Sequence, residues 1–208
     1  MSDKTKKILV ATTNPGKFAE LKDMLDFGFE WCSLGDLSDV EQIREDGLTF
    51  VENARKKAFG YAKASGCWTI ADDSGLVVDA LGGAPGVRSS RFSGAQEIDR
   101  ILLDHKNMAK VLRLLSAVPN AKRTAKFVCC LCLASPKETL IETEGKLEGL
   151  IAQREIGENG FGYDPIFFVP ELNKTVAQLT ADEKNAISHR GQAIRKLRPL
   201  LEQILRAG

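Results

Sequence analysis

The run Lys7-Ile8-Leu9-Val10-Ala11 passes directly into Thr12-Thr13-Asn14-Pro15-Gly16-Lys17, and this junction limits what the chain can fold into. A short apolar run bounded by turn residues reads as a buried strand. Asn14 then supplies an N-cap, Pro15 suits the first helical position, and Phe18, Leu21 and Leu25 recur at helical spacing. A strand, a polar turn and a helix N-terminus in that order make an anion site, because free N–H groups and the positive end of the helix dipole converge there. Lys17 adds a full charge one turn in. The glycine spacing and the Lys-Ser/Thr ending of a P-loop are both missing, so an ordinary β–α connection is the competing reading.

A second stretch carries acids. Trp68-Thr69-Ile70-Ala71 is an apolar run that breaks into Asp72-Asp73-Ser74-Gly75 before Leu76. The acids are expected where a buried strand gives out at the edge of a sheet, which is where open α/β sheets place their ligands. Two adjacent carboxylates repel, and a divalent cation beside them relieves the repulsion. A plain turn, initiated by Asp and Ser and completed by Gly, is the alternative.

Along the rest of the chain, Phe29 to Ser33 reads as a strand, and Gly35 to Asp46 as a loop holding Asp36, Asp39, Glu41, Glu45 and Asp46. Thr49-x-x-Glu52 is a capping box that opens a helix running to Gly66, with Glu45 just ahead of its N-terminus. Arg55, Lys56 and Lys57 on that helix form a wet face from which one side chain turns towards a phosphate. Leu76 to Leu81 resumes as strand, Gly82 to Gly86 is a rigid loop, and Gln96 to Val118 is helical with Ile101, Leu102, Met108, Val111, Leu112 and Leu115 on its apolar face. Ala125 to Ala134 and Leu140 to Leu147 pair as a hairpin. Asn159 to Pro165 sets Phe161, Tyr163 and Asp164 in a glycine-hinged turn, an arrangement suited to stacking on something flat. Thr180-x-x-Glu183 is another capping box, and Ser188 caps a final helix with His189 and Arg190 at its N-terminus, where the dipole disfavours a cation unless an acceptor is present. Alternating strands and helices, with a β-rich stretch after Arg123, give an α/β fold with a mixed sheet.

Composition narrows the function classes. The 208 residues, 43% hydrophobic and 27% charged, suit one soluble globular domain over residues 1–208, built as two lobes. A net charge of +1 argues against a nucleic-acid or anionic-membrane partner, so any anion must be met by a local cluster. The five cysteines have no paired metal-ligand spacing and three lie in one apolar strand, which marks them as reduced core residues. Two histidines make a zinc site improbable on ligand count. The polar start, Met1 to Lys7, is no signal peptide and no run is long enough to span a bilayer, so the protein is read as cytoplasmic.

Six motifs, TTNPGK (12–17), EDGLTFVENA (45–54), ADDSGL (71–76), GGAPG (82–86), FGYDPIF (161–167) and EKNAISHRGQA (183–193), closely resemble in order and spacing the inosine/xanthosine triphosphate pyrophosphatases, the Ham1-like non-canonical purine NTP pyrophosphatases. The pattern departs mildly at Arg44 and Asp46, which flank Glu45, and at Arg88, where relatives tend to carry an aromatic or His. The resemblance implies an elongated two-lobed α/β fold with a long central mixed sheet, flanked by helices and with a cleft between the lobes, and usually a homodimer. It implies hydrolysis of ITP, dITP or XTP to the monophosphate and pyrophosphate with Mg²⁺, which keeps deaminated purines out of DNA and RNA. By motif position, Thr12, Thr13, Asn14, Lys17 and Lys57 would hold the phosphates, Glu45 and Asp73 the metal, and Asp73 would also accept the proton. Ser74 would contact substrate, and Phe161, Gly162, Tyr163, Asp164, Lys184, His189 and Arg190 would form the base and sugar pocket. Hypoxanthine and xanthine offer an acceptor at O6 and a donor at N1–H, so Asp164 beside Arg190 would fit them and reject adenine. A Maf-type pyrophosphatase is disfavoured by the SHR and FGYD motifs, and a catalytically inert nucleotide sensor by Glu45, Asp73 and Lys17.

Overall fold

The computed structural model describes residues 7–25, 28–37 and 40–207; Asp39 and the polar start before Lys7 lie outside them. Seven strands form one mixed sheet in the order β2-β1-β3-β4-β5-β6-β7. They are β1 (Lys7–Val10), β2 (Glu30–Ser33), β3 (Trp68–Val78), β4 (Thr124–Ala134), β5 (Thr139–Ile151), β6 (Phe167–Val169) and β7 (Lys174–Thr175). β1 pairs in parallel with β2 and β3, whereas β6 runs antiparallel to both β5 and β7. Five helices accompany the sheet: α1 (Pro15–Met24), α2 (Phe50–Ser65), α3 (Arg100–Leu114), α4 (Ala181–Ile187) and α5 (His189–Ala207). No helix among the described residues is long and apolar enough to cross a membrane.

Local chemistry explains most of the element starts. Asn14 Oδ1 accepts from the amides of Gly16 and Lys17, and Pro15 opens α1. Thr49 and Glu52 form the reciprocal box that starts α2, which Gly66 ends in the left-handed conformation at φ +70°. Thr180 and Glu183 do the same for α4, and Ser188, with extended backbone, separates α4 from α5. The helix read over Gln96 to Val118 is shorter, because Asp99 Oδ1 takes the amides of Ile101 and Leu102 and fixes the start there. Met108 and Val111 are buried as expected, and Asp104 and Asn107 with them, whereas Ile101, in the first turn of the helix, is 70% exposed.

The chain divides into two compact units. Unit 1 is Met1–Asp73, Cys129–Gly145 and Arg190–Gly208; unit 2 is Ser74–Val128 and Lys146–His189. Each has its own core. In unit 1, Ile8, Val10 and Ile70 pack with Leu131 and Leu133 of β4, with Leu21 and Leu25 from the α1 segment, and with Ile194, Leu197 and Leu201 of α5. In unit 2, Leu76 and Val78 join Met108, Val111 and Leu115 of the α3 segment, Phe127, and Tyr163, Ile166 and Phe167. Each fully buried side chain of this size contributes about 1.5–3 kcal/mol.

The acidic stretch is not a turn. β3 continues without a break through Asp72, Asp73, Ser74 and Gly75, and it lies inside the sheet between β1 and β4, not at its edge. Successive side chains of a strand point to opposite faces, so the two acids are not a facing pair. Asp72 shares a face with Ile70, and Asp73 lies on the other. Gly75 permits the continuation, because a Cβ there would stand 2.7 Å from the carbonyl oxygen of Gly86 and closer still to Ser89 Oγ. β3 ends at Val78, short of the expected Leu81, where Asp79–Leu81 winds into a 3₁₀ turn closed by Gly82 at φ +62°.

Candidate active site

Unit 1 gathers the first half of the expected residues. Asp72 is 1% exposed, a position that an isolated carboxylate does not tolerate. Lys17 Nζ donates to its Oδ1 at 2.6 Å, and Arg190 donates from Nη2 and Nε to Oδ2 at 3.0 and 3.2 Å. Arg190 also pairs through Nη1 with Glu20 of α1. Burial pushes the Asp72 carboxyl up, but Lys17, Arg190 and Lys57 outweigh that and hold it well below the usual carboxylate range. Burial likewise opposes the Arg190 charge, and Asp72, Cys129 and Glu20 more than restore it. Strand β3 is thereby stitched by charge to both α1 and α5.

Asp73 is held differently. On its face of β3 stands α2, where Asn53 and Lys57, one turn apart, are both buried. Asn53 Nδ2 donates to Asp73 Oδ2 at 3.0 Å. Lys57 Nζ donates to the backbone carbonyl of Asp72 at 2.5 Å and lies 3.4 Å from Glu45 Oε1. Burial drives the Asp73 carboxyl from the ordinary 3.8 to about 6; Lys57, the Asn53 hydrogen bond and Lys17 oppose this, and Glu45 adds to it. Asp73 is therefore a buried acid whose charge is incompletely met. Arg55 and Lys56 are the wet face, pairing with Glu142 and Asp46 respectively, and Lys57 alone of the three is turned inward.

At the α1 turn, Asn14 caps the helix as expected and takes the amides of Gly16 and Lys17. Thr12 Oγ1 accepts from the Asn14 amide at 3.1 Å, and Thr13 is exposed. What this turn offers an anion is the Lys17 ammonium, the dipole and the hydroxyl of Thr13.

Unit 2 gathers the second half. Asp164 Oδ2 accepts from the Phe161 amide at 3.0 Å and from Lys184 Nζ at 2.8 Å, both acid and lysine being buried. The Lys184 ammonium sits 4.3 Å over the Phe161 ring. Gly160, at φ +78°, makes room for this, because a Cβ there would collide with Asp164 Oδ2. Asp104 Oδ2 of α3 accepts from the Gly162 amide at 2.9 Å. His189 stacks on Phe127 with ring centroids 4.8 Å apart and planes at 19°. Ser74 is half-buried on β3.

One expectation for this turn needs correcting. Tyr163 is not presented outward: its ring lies in the unit 2 core and its hydroxyl donates to the Ser89 carbonyl at 2.7 Å. Burial accordingly pushes its phenol up. Asp164 is held by Lys184, and Arg190 by Asp72 and Glu20. Asn53, Glu20 and Asp104 are functional partners that the sequence reading misses, and Asp72 stands out there only as one of two adjacent acids. Asn53 carries a usable signal, because it is a poor helix former placed four residues before Lys57 on the same face as Ala54, Ala58 and Ala62.

The donors suit a hard divalent cation. Mg²⁺ takes oxygen ligands and commonly keeps several waters, binding through one or two carboxylates plus substrate phosphates. Glu45, 3.4 Å from Lys57, and Asp73, held by Asn53 on the same helix, are the two carboxylates that would serve such an ion. Among the described residues no group of three or more His, Cys, Asp or Glu is arranged to enclose a metal, so an all-protein cage is not what these residues build.

Comparison with known proteins agrees with the motifs. Residues 8–200 match the family model described as the Ham1 family. A dITP/XTP pyrophosphatase of Bacillus subtilis (strain 168) is 48% identical over 198 residues, covering 95% of this chain and 98% of that protein. One from Exiguobacterium sp. is 51% identical over 192 residues, covering 92% of this chain and 94% of its own. The solved structure of a HAM1 protein from Coxiella burnetii superposes with a TM-score of 0.85 at 41% identity, covering 96% of this chain and all of that one.

Proposed function

The chain belongs to the Ham1 family, and on that premise we propose that it is a nucleoside-triphosphate pyrophosphatase acting on non-canonical purines. ITP, dITP and XTP are hydrolysed to the monophosphate and pyrophosphate, which keeps deaminated purines out of the polymerisable pool. The observation that carries this reading is the cluster around Lys57: a buried lysine that binds the backbone at Asp72, stands 3.4 Å from Glu45, and shares its helix face with the partner of Asp73.

In this reading Glu45 and Asp73 would hold Mg²⁺, which would supply charge neutralisation for the triphosphate and a more acidic water. Lys17 and Lys57 carry positive charge to the polyphosphate and stabilise the departing pyrophosphate. Asp73 also accepts a proton from the attacking water. A new bond forms from water oxygen to the α-phosphorus as the bond from that phosphorus to the β-phosphate bridging oxygen breaks. Thr12, Thr13 and Asn14 line the phosphate end. Phe161 offers a ring face to the base, while Gly162, Asp164, Lys184 and His189 complete the base and sugar pocket. Arg190 serves by fixing Asp72 and with it the strand carrying Asp73 and Ser74, and Tyr163 serves through its backbone and its anchored ring. A homodimer is part of the proposal and is tested by sedimentation equilibrium.

The deciding experiment is pyrophosphate release from ITP, dITP, XTP, GTP, ATP and dTTP, with Mg²⁺ and with EDTA. Metal-dependent release from the first three is expected. Turnover of dTTP at comparable rates would replace the reading with a pyrimidine-directed pyrophosphatase.

A further inference from the structure

Asn53 is fully buried in the interior of α2, where Ala54, Ala58 and Ala62 fill the neighbouring positions. Asparagine is a poorer helix former than alanine. It also buries an amide that must find partners on both sides. Both are found: Nδ2 donates to Asp73 Oδ2 at 3.0 Å, and Oδ1 accepts from the Gly47 amide at 2.8 Å. The assignment of the amide follows from these partners, because the flipped group would set oxygen against carboxylate and N–H against N–H.

Gly47 lies two residues beyond Glu45 in a loop that has no regular structure of its own from residue 40 to residue 47. The loop takes its place from α2. Ile43 donates its amide to Tyr61 Oη at 3.2 Å and packs its side chain where a Cβ on Gly60 would stand, 2.7 Å from Ile43 Cδ1. Lys57 meets Glu45, and Asn53 holds Gly47. Gly47 itself approaches so closely that a Cβ would lie 2.7 Å from Asn53 Oδ1. One neutral amide thus hydrogen-bonds the strand carboxylate on one side and the loop bearing the other carboxylate on the other. Aspartate at 53 would repel Asp73, and alanine would reach neither.

We propose that Asn53 is a positioning residue that fixes the Asp73 carboxylate and the Glu45 loop relative to each other, so that the two take a divalent cation together. This rests on the reading of Asp73 and Glu45 as the metal ligands. Removing such an outer partner typically costs roughly 10–100-fold in metal affinity or activity.

The test is equilibrium binding, by titration calorimetry, of a non-hydrolysable α,β-methylene analogue of ITP in Mg²⁺ and in EDTA. For Asn53→Ala, the affinity gained on adding Mg²⁺ should shrink by roughly 10–100-fold while the affinity in EDTA is unchanged. Equal losses in both buffers would make Asn53 a general support of the fold and overturn the proposal, as would no loss in either. Gly47→Ala pushes the loop off an intact Asn53 and should show the same Mg²⁺-selective loss, which keeps the test open if Asn53→Ala does not fold. If the unaltered protein gains no affinity from Mg²⁺, the metal assignment of Asp73 and Glu45 fails and takes the role of Asn53 with it.

Discussion

Replacing Asp73 by Asn should change how stability depends on pH as well as stopping turnover. The carboxyl is raised from the ordinary 3.8 to about 6 in the folded protein. Between those values the folded state binds a proton that the unfolded chain has released, so ionising Asp73 is paid for by the fold as pH rises. The wild-type protein therefore loses stability from this group between about pH 4 and pH 6, at about 1.4 kcal/mol per pH unit or about 3 kcal/mol in all. Because Asp73 is only 6% exposed, solvent screens little of this. The asparagine side chain of the variant does not ionise and can still present its oxygen to Asn53 Nδ2. Measured in EDTA, the stability of Asp73→Asn relative to wild type should therefore improve by about 3 kcal/mol from pH 4 to pH 8, or roughly 6–12 °C in Tm. Turnover with Mg²⁺ should fall by orders of magnitude over the same range. Urea unfolding at four or five pH values reads the first quantity and pyrophosphate release the second. A stability difference that is flat with pH, or that moves against the variant as pH rises, would refute the argument that Asp73 sits as an under-compensated buried acid.

Asp72 should respond in the opposite sense. Its depressed carboxyl contributes stability above the ordinary carboxylate range that is lost as pH falls through the folded value, and Asp72→Asn, which takes away the buried charge that Lys17 and Arg190 share, should cost about 3–5 kcal/mol by urea unfolding at pH 7. Tyr163→Phe should lose about 0.5–1.5 kcal/mol with the bond to the Ser89 carbonyl while kcat/KM stays near wild type; a large drop in kcat/KM would return the ring to substrate stacking. Gly160→Ala should destabilise by about 1–3 kcal/mol and raise KM for ITP, because the added methyl displaces Asp164 from Lys184; unchanged KM would separate this turn from the substrate.

What is legible in the sequence is the chemistry that closes over a few residues. The caps at Asn14, Thr49 and Thr180 are satisfied three residues on and appear as read. The glycine-hinged turn at Asn159 to Pro165 exists because Gly160 must lack a Cβ, which is again local. Two of the misreadings have distant partners. Asp72-Asp73-Ser74-Gly75 looks like a turn because nothing nearby neutralises a buried acid; Lys17 and Arg190 do so from 55 residues before and 118 residues after. Tyr163 looks like an outward platform because its acceptor, the Ser89 carbonyl, is 74 residues away. Ile101 and Leu102 match an apolar helix face by spacing, yet they lie in the first turn after the cap at Asp99 and are exposed, while Asp104 and Asn107 are buried further along. Spacing identifies a face; the partner that arrives from elsewhere decides which way it points.

Unit 1 is assembled from the opening of the chain, a middle hairpin and the segment from Arg190 onward, whereas unit 2 needs nothing after His189. A polypeptide ending at His189 would hold every segment of unit 2, yet it would leave unit 1 without α5 and Asp72 without the guanidinium that meets it.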